Sequence, residues 1–494
     1  MDAQPVGLIE KGVAEHVDEG KFPIGEEGEG AREWEPKFMK RTQLKLDLLL
    51  LPLLTLIYMC SSLDKSNLGN AKTLGMIDDL GGDPSGETYA LLNAFYFISY
   101  APFMVPFALL AKRTRMAKVL ALCACGWGIA ATSFAGVQNF PGAFACRFLI
   151  GFGEAGYAPM VQVYLSRFYT RRALGVRVAF WLAMAPMGGF LNGIIAYGVS
   201  FIKSHLESWR VLFLIEGGLT LIVGIVAVVM LPEDIPSNRW LTEEERDYLM
   251  YMRAMDYAPE GREINWKHAR GAFYRWQQLL PTLQNISQQI TGAALSAFLP
   301  TFTSENGFKG ATAQIATLAP YGSAAVCMVI ASYISDHYRN RGWPSQVGWW
   351  MMILAFGIYL GVDTSNHAAR FAALILAEVG HYVCTPLIVT WQANNAGNES
   401  RRAVAVPFAV ACAQAVAAGS GYLFPAKDSP KYTMGSAVCL SLSAAGSIFT
   451  GIYQVLLRRE NNRRDADEGG PPAEGFRPDT ATYADDAPGF RYLE

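Results

Sequence analysis

Five ionisable side chains stand inside long apolar stretches of this chain: Arg147, Glu154, Glu216, Glu378 and His381, while Asp64 and Lys65 close another such stretch. A charge in hydrocarbon is costly unless paired or wetted, so each of these residues is a candidate for function. Arg147 and Glu154 are seven positions apart, two helical turns, and share one helix face about 10 Å apart. That is too far for a direct bond and leaves room for a partner. The spacing suits an arginine that binds an anion or tunes a glutamate that exchanges a proton. A static polar link to the first apolar stretch would use the same residues. Glu378 and His381 are three apart and adjacent on one face. A carboxylate beside an imidazole makes a proton relay that titrates near neutral pH; a packed, hydrogen-bonded pair fits the spacing equally. Glu216 precedes Gly217-Gly218 and reads as structural. Tyr157, Tyr321 and Trp391 suit either a cavity wall or anchors at a membrane interface.

Other chemistries are not encoded. The sequence has no P-loop, HExxH, GxSxG or CxxC motif, so ATP-driven work, an enzyme, a metal site and a bound cofactor are not expected. The eight cysteines lie in or beside apolar stretches and read as small helix residues. Residues 81–86, GGDPSG, read as a flexible turn. Asn285 and Asn398 open glycosylation sequons that are not expected to be used.

The elements that must position these side chains follow from charge distribution. Of the 494 residues, 51% are hydrophobic and 17% charged, and mean hydropathy is +0.18. A soluble chain carries about a quarter charged residues. Here the charges gather at the ends, the middle and short connectors. Apolar stretches of about 18 to 24 residues separate them, enough to cross a core of about 30 Å. The predicted spans lie near 46–64, 89–111, 117–136, 141–165, 176–199 and 210–231, then 282–303, 313–335, 346–363, 370–391, 403–424 and 435–457. Residues 1–43 and 458–494 read as disordered cytoplasmic tails, and 232–280 as a cytoplasmic central loop. In that loop Thr242 would cap an amphipathic helix. No signal peptide precedes the first span. A net charge of -2 gives no case for nucleic acid.

Lysine and arginine set the topology. Clusters such as Lys112, Arg113, Arg115 and Lys118, or Arg167, Arg171, Arg172 and Arg177, fall in loops on one side if both termini are inside. The central loop adds more, including Arg262 and Arg275. The sequence also repeats: Gly153-Glu154-Ala155-Gly156 returns 224 residues later as Ala377-Glu378-Val379-Gly380, and Arg171-Arg172-Ala173 as Arg401-Arg402-Ala403. These observations predict an all-α membrane protein of twelve helices, in six-helix bundles at 44–231 and 281–457 around a central cavity. The architecture suits a secondary transporter.

Several motifs resemble those of the major facilitator superfamily, in particular the fungal allantoate permease branch of its anion:cation symporters. LDKSNLGNAK at residues 63–72 is similar to that branch's LDRSNIGNAK. RFLIGFGEAGYAP at 147–159 resembles RFLLGxxEAGxxPG, and FLPT at 298–301 and WQANNAG at 391–397 resemble LPT and WxxNNxAG. The loop after the second span departs from GxLADRxGRR, and His381 is not a residue that the resemblance leads one to expect. The resemblance implies a major facilitator fold and proton-coupled uptake of a small organic anion, such as a carboxylate vitamin or ureide. Asp64, Arg147, Glu154, Tyr157, Glu378 and His381 would be the substrate and proton-coupling candidates. The expected protein is a multi-pass plasma-membrane monomer whose partners are an anionic solute, protons and the lipid bilayer. Alternatives are an exporter of a fungal secondary metabolite and a non-transporting nutrient sensor.

Overall fold

The computed structural model describes residues 34–83, 86–256, 265–308, 311–472 and 478–494. The expected tail through residue 33, residues 84 and 85 of the glycine-rich turn, and Arg262 lie outside them. Among the described residues, twelve helical segments of suitable length follow one another. In the first half they are α1 (Pro36–Thr73), α2 (Glu87–Arg113), α3 (Met116–Phe134), α4 (Phe140–Glu154 and Tyr157–Ser166), α5 (Arg171–Leu182 and Met184–Val199) and α6 (Ser208–Met230). In the second they are α7 (Trp276–Glu305), α8 (Ala311–Ala316 and Leu318–His337), α9 (Gly342–Gly361), α10 (His367–Asn394), α11 (Glu399–Ala417) and α12 (Thr433–Glu468). Among the described residues, nine helices are long and apolar enough to cross a membrane on those criteria alone. The other three are α4, divided into two short pieces, α7, rich in Gln, Ser and Thr, and α9, whose first residues include Pro344, Ser345 and Gln346.

Local chemistry explains the helix starts. Pro36 sits in the first turn of α1, where its missing N–H costs nothing. Asn139, Asn366 and Asn398 cap α4, α10 and α11 by accepting from the main-chain N–H of Gly142, Ala369 and Arg401. Thr242 and Glu245 cap the surface helix Glu243–Asp256 reciprocally. That helix is tied to α1 by Lys45 and Glu245 at 2.6 Å, and Trp34 packs on its Tyr248 and Tyr251. These contacts order residues 36–43, which the sequence reading assigned to a tail.

Within the first half α3 packs on α6 and α4, and α1 on α5 and α6; within the second α9 packs on α10 and α12, and α7 on α11 and α12. The halves meet through α2 with α11, α5 with α8, and α1 with α7. Exchanging equivalent helices of the two halves turns the first of these contacts into the second and the third into itself, as two-fold pseudosymmetry requires. The face bearing residues 232–256 and 265–275 is termed the loop face. At the opposite, far face, α1 and α7 approach so closely that a Cβ on Gly69 would stand 2.7 Å from the Ala297 carbonyl oxygen. Hydrogen bonds join the halves there: Tyr89 Oη donates to the Ala297 carbonyl at 2.8 Å, Asn93 to Ser420 at 3.1 Å and Gln314 to Thr73 at 2.6 Å.

The C-terminal region also differs from expectation. α12 runs on to Glu468, and residues 478–494 fold back over the loop face of the second half. Asp485 is fully buried, paired with Arg401 and, at 2.8 Å, with Arg275. Trp391 and Asn395 donate to the Leu493 carbonyl at 2.8 and 3.0 Å, and Asn461 brackets the Tyr492 main chain. Acids in the tail thus meet arginines distant in sequence, a match that local composition does not display.

Candidate functional site

A cavity of about 110 Å³ lies between the halves. α1 contributes Tyr58, Ser62, Lys65 and Ser66 to its wall, which recur at helical spacing along one face; Gln289, Gly292, Ala293 and Ser296 do the same on α7. Tyr321 from α8 and His381, Tyr382 and Thr385 from α10 complete much of the second-half side. Rings, hydroxyls and amides therefore surround one ammonium group, that of Lys65.

Lys65 reaches Glu154, with 3.7 Å between its Nζ and Glu154 Oε2. The same oxygen accepts hydrogen bonds from Ser61 and from the Tyr96 hydroxyl, each at 2.7 Å. The ammonium also lies 5.2 Å from the centroid of Tyr100 and 6.0 Å from that of Tyr96. Glu154 is almost wholly enclosed, whereas the Lys65 side chain is 31% exposed. The carboxylate is the interior partner and the ammonium the one exposed to the cavity. Glu154 ends the first piece of α4, before the helix resumes at Tyr157.

Arg147 lies elsewhere. Its Nη1 donates to the main-chain oxygen of Asp64 at 3.2 Å, and its guanidinium sits 5.6 and 6.0 Å from the rings of Phe134 and Phe213. Asp64 and Glu216 are buried, and among the described residues neither Glu216 oxygen has a hydrogen-bond partner. Tyr157 donates to the Leu54 carbonyl at 2.5 Å and packs against Trp127. None of these residues belongs to the cavity wall. Arg147 and Glu154 both bind α1, but through different residues.

In the second half, Glu378 is fully buried, and among the described residues neither of its oxygens has a hydrogen-bond partner. His381 is directed to α7, its Nδ1 2.9 Å from Gln288 Nε2, and the same amide donates to Thr385 at 2.5 Å. The anticipated hydrogen-bonded Glu378–His381 pair is thus replaced by a histidine held by glutamine. Tyr321 lines the cavity, as one reading of it allowed; Trp391 is buried under the C-terminal segment.

Residues 54–421 match the Major Facilitator Superfamily. The chain belongs to the major facilitator superfamily. This transporter is 32% identical over 437 residues to an uncharacterized transporter of Schizosaccharomyces pombe, covering 88% of this chain and 86% of that one. It is 27% identical over 462 residues to the high-affinity nicotinic acid transporter of Saccharomyces cerevisiae, covering 92% and 85%. Among solved structures, the xylose transporter XylE from E. coli in a partially occluded inward-open conformation matches with a TM-score of 0.64. It is 14% identical, and the match covers 81% of this chain and 98% of that one.

Of the six candidates read from the transporter's sequence, His381 alone lines the cavity, and Glu154 communicates with it through Lys65. Lys65 itself was read as the outer end of a span. Tyr58, Ser62, Lys65 and Ser66 recur at helical spacing, but Ser61, Asp64 and Asn67 beside them are polar too, so the sequence alone does not single out the cavity face.

Proposed function

We propose that this transporter couples the uptake of a small organic anion to protons by alternating access, as a member of the allantoate permease branch of fungal anion:cation symporters. The observation that carries the proposal is the Lys65–Glu154 pair at the cavity wall. An anion entering the cavity competes with Glu154 for the ammonium. A carboxylate left buried without its cation takes up a proton rather than stay charged. The empty site holds Lys⁺ and Glu⁻; the loaded site holds Lys⁺, the anion and a protonated Glu154. Both are neutral, so the halves rock about the cavity without exposing net charge to hydrocarbon. Anion and proton then travel together because neither arrangement tolerates one without the other. The relative named as a nicotinic acid transporter makes nicotinate the first solute to test.

The test is uptake of labelled nicotinate and a panel of other carboxylates into proteoliposomes, with and without an inward proton gradient and an uncoupler. The expected result is accumulation that grows with external acidity and collapses with the uncoupler. Transport indifferent to both would remove the coupling.

A further inference from the structure

Two side chains of the cavity wall rest directly on glycines. The Tyr321 ring of α8 lies over Gly189 of α5, where an added Cβ would stand 2.6 Å from the ring carbons. The imidazole of His381 lies over Gly292 of α7, where an added Cβ would stand 1.8 Å from Cε1. Neither glycine can become alanine unless its ring moves away. Both rings are backed on other sides: Tyr382 sits 6.4 Å from the Tyr321 centroid and 4.9 Å from that of His381, and Gln288 holds the imidazole. The cavity is the free space left to a displaced ring.

We propose that the pairs Gly189–Tyr321 and Gly292–His381 set the upper size of the transported solute, the rings as specificity residues and the glycines as the residues that position them. The proposal rests on the reading of this cavity as the transport site. The two pairs differ in kind. Gly189 and Tyr321 belong to opposite halves, so that niche opens when α5 and α8 separate. Gly292 and His381 belong to the same half, so their limit persists through the cycle.

The experiment uses the full-length transporter in nanodiscs and two probe series of rising size, aromatic carboxylates from benzoate to 1-naphthoate and the primary amides of the same rings. Binding is read calorimetrically, and Tm is measured without ligand. His381→Ala and Tyr321→Ala are expected to bind a solute at least one ring larger than the wild type accepts. Gly292→Ala should lower both the size limit and Tm. Adding His381→Ala to Gly292→Ala should restore Tm and readmit the larger solutes, which a generally damaged fold would not do. An unchanged size limit in the two ring variants, or a Tm loss that the double variant does not recover, overturns the proposal. Acids binding no better than amides sinks the anion reading and leaves the size limit to be read on the amides. Binding of neither series by any variant overturns the size limit for this cavity.

Discussion

The Lys65 ammonium faces the Glu154 carboxylate at 3.7 Å, one partner partly open to the cavity and the other enclosed. Removing each charge should therefore do different things. On the proposed mechanism Lys65→Gln removes the group that binds the anion, worth about 1.5–3 kcal/mol for a hydrogen bond to a charge, and affinity should fall about 10- to 150-fold. On the same mechanism Glu154→Gln leaves the ammonium in place while abolishing the proton site. Anion exchange across proteoliposomes should continue in that variant while accumulation driven by a proton gradient disappears. Equal loss of both activities in Glu154→Gln would mean that Glu154 serves the fold and not the coupling.

Arg147 should behave as a supporting residue. It donates to the Asp64 main-chain oxygen and is nearly completely buried among rings. Arg147→Ala deletes a charged donor, at a cost of about 1.5–3 kcal/mol, so Tm should fall. Affinity for the anion in the molecules that remain folded should stay close to wild type. Full thermal stability combined with lost affinity would return Arg147 to the binding site.

Which parts of this arrangement the sequence displays depends on whether they are local. Hydropathy marks the spans because each must be apolar for its own length, and Asn139 or Thr242 mark helix starts because a cap acts within three residues. The divisions of α4, α5 and α8 each precede a proline: Pro159, Pro186 and Pro320 cannot donate to the carbonyls of Ala155, Leu182 and Ala316. Pro300 and Pro386 nevertheless lie inside unbroken α7 and α10, so packing decides which prolines interrupt a helix. The depth of a side chain is hidden from the sequence. Asp64 and Lys65 are neighbours in sequence, yet one helical step of about 100° puts the first behind α1 and the second in the cavity. Polar periodicity does not separate them, because Ser61, Asp64 and Asn67 recur at helical spacing just as Ser62, Lys65 and Ser66 do.

The far face provides a third prediction. Tyr89 on α2 donates to the Ala297 carbonyl of α7, and Lys72 lies 4.3 and 5.3 Å from the rings of Tyr89 and Phe298. Tyr89→Phe keeps the ring and removes only the hydrogen bond between the halves, about 1 kcal/mol, so the far-face-open population should rise about fivefold. A single cysteine at the Ser296 position of a cysteine-free variant reads this out. An impermeant maleimide applied at the far face should label it faster in the Tyr89→Phe background. Unchanged labelling would show that this bond does not help to close the far face.

The C-terminal segment gives the last prediction. Asp485 is fully buried between Arg275 and Arg401, and Arg401 is itself only 2% exposed. Asp485→Ala leaves those arginines without their common partner, and breaking a buried pair costs about 3–5 kcal/mol. The segment should detach, making residues 478–494 accessible to limited proteolysis that spares the wild type. Acid should loosen the same contact in a defined direction. Hydrogen bonds from Arg275 hold the Asp486 carboxyl below its usual value of 3.8. Its contribution is therefore complete above that value and is lost as the pH falls through the lower value it has in the folded segment. Proteolytic protection should be flat from neutral pH down to about 4 and decline below it with an acid-stable protease. Asp486→Asn should already be less protected at neutral pH and should lack that part of the acid dependence. Protection that fell between pH 7 and 5 would place the controlling group elsewhere than on Asp486.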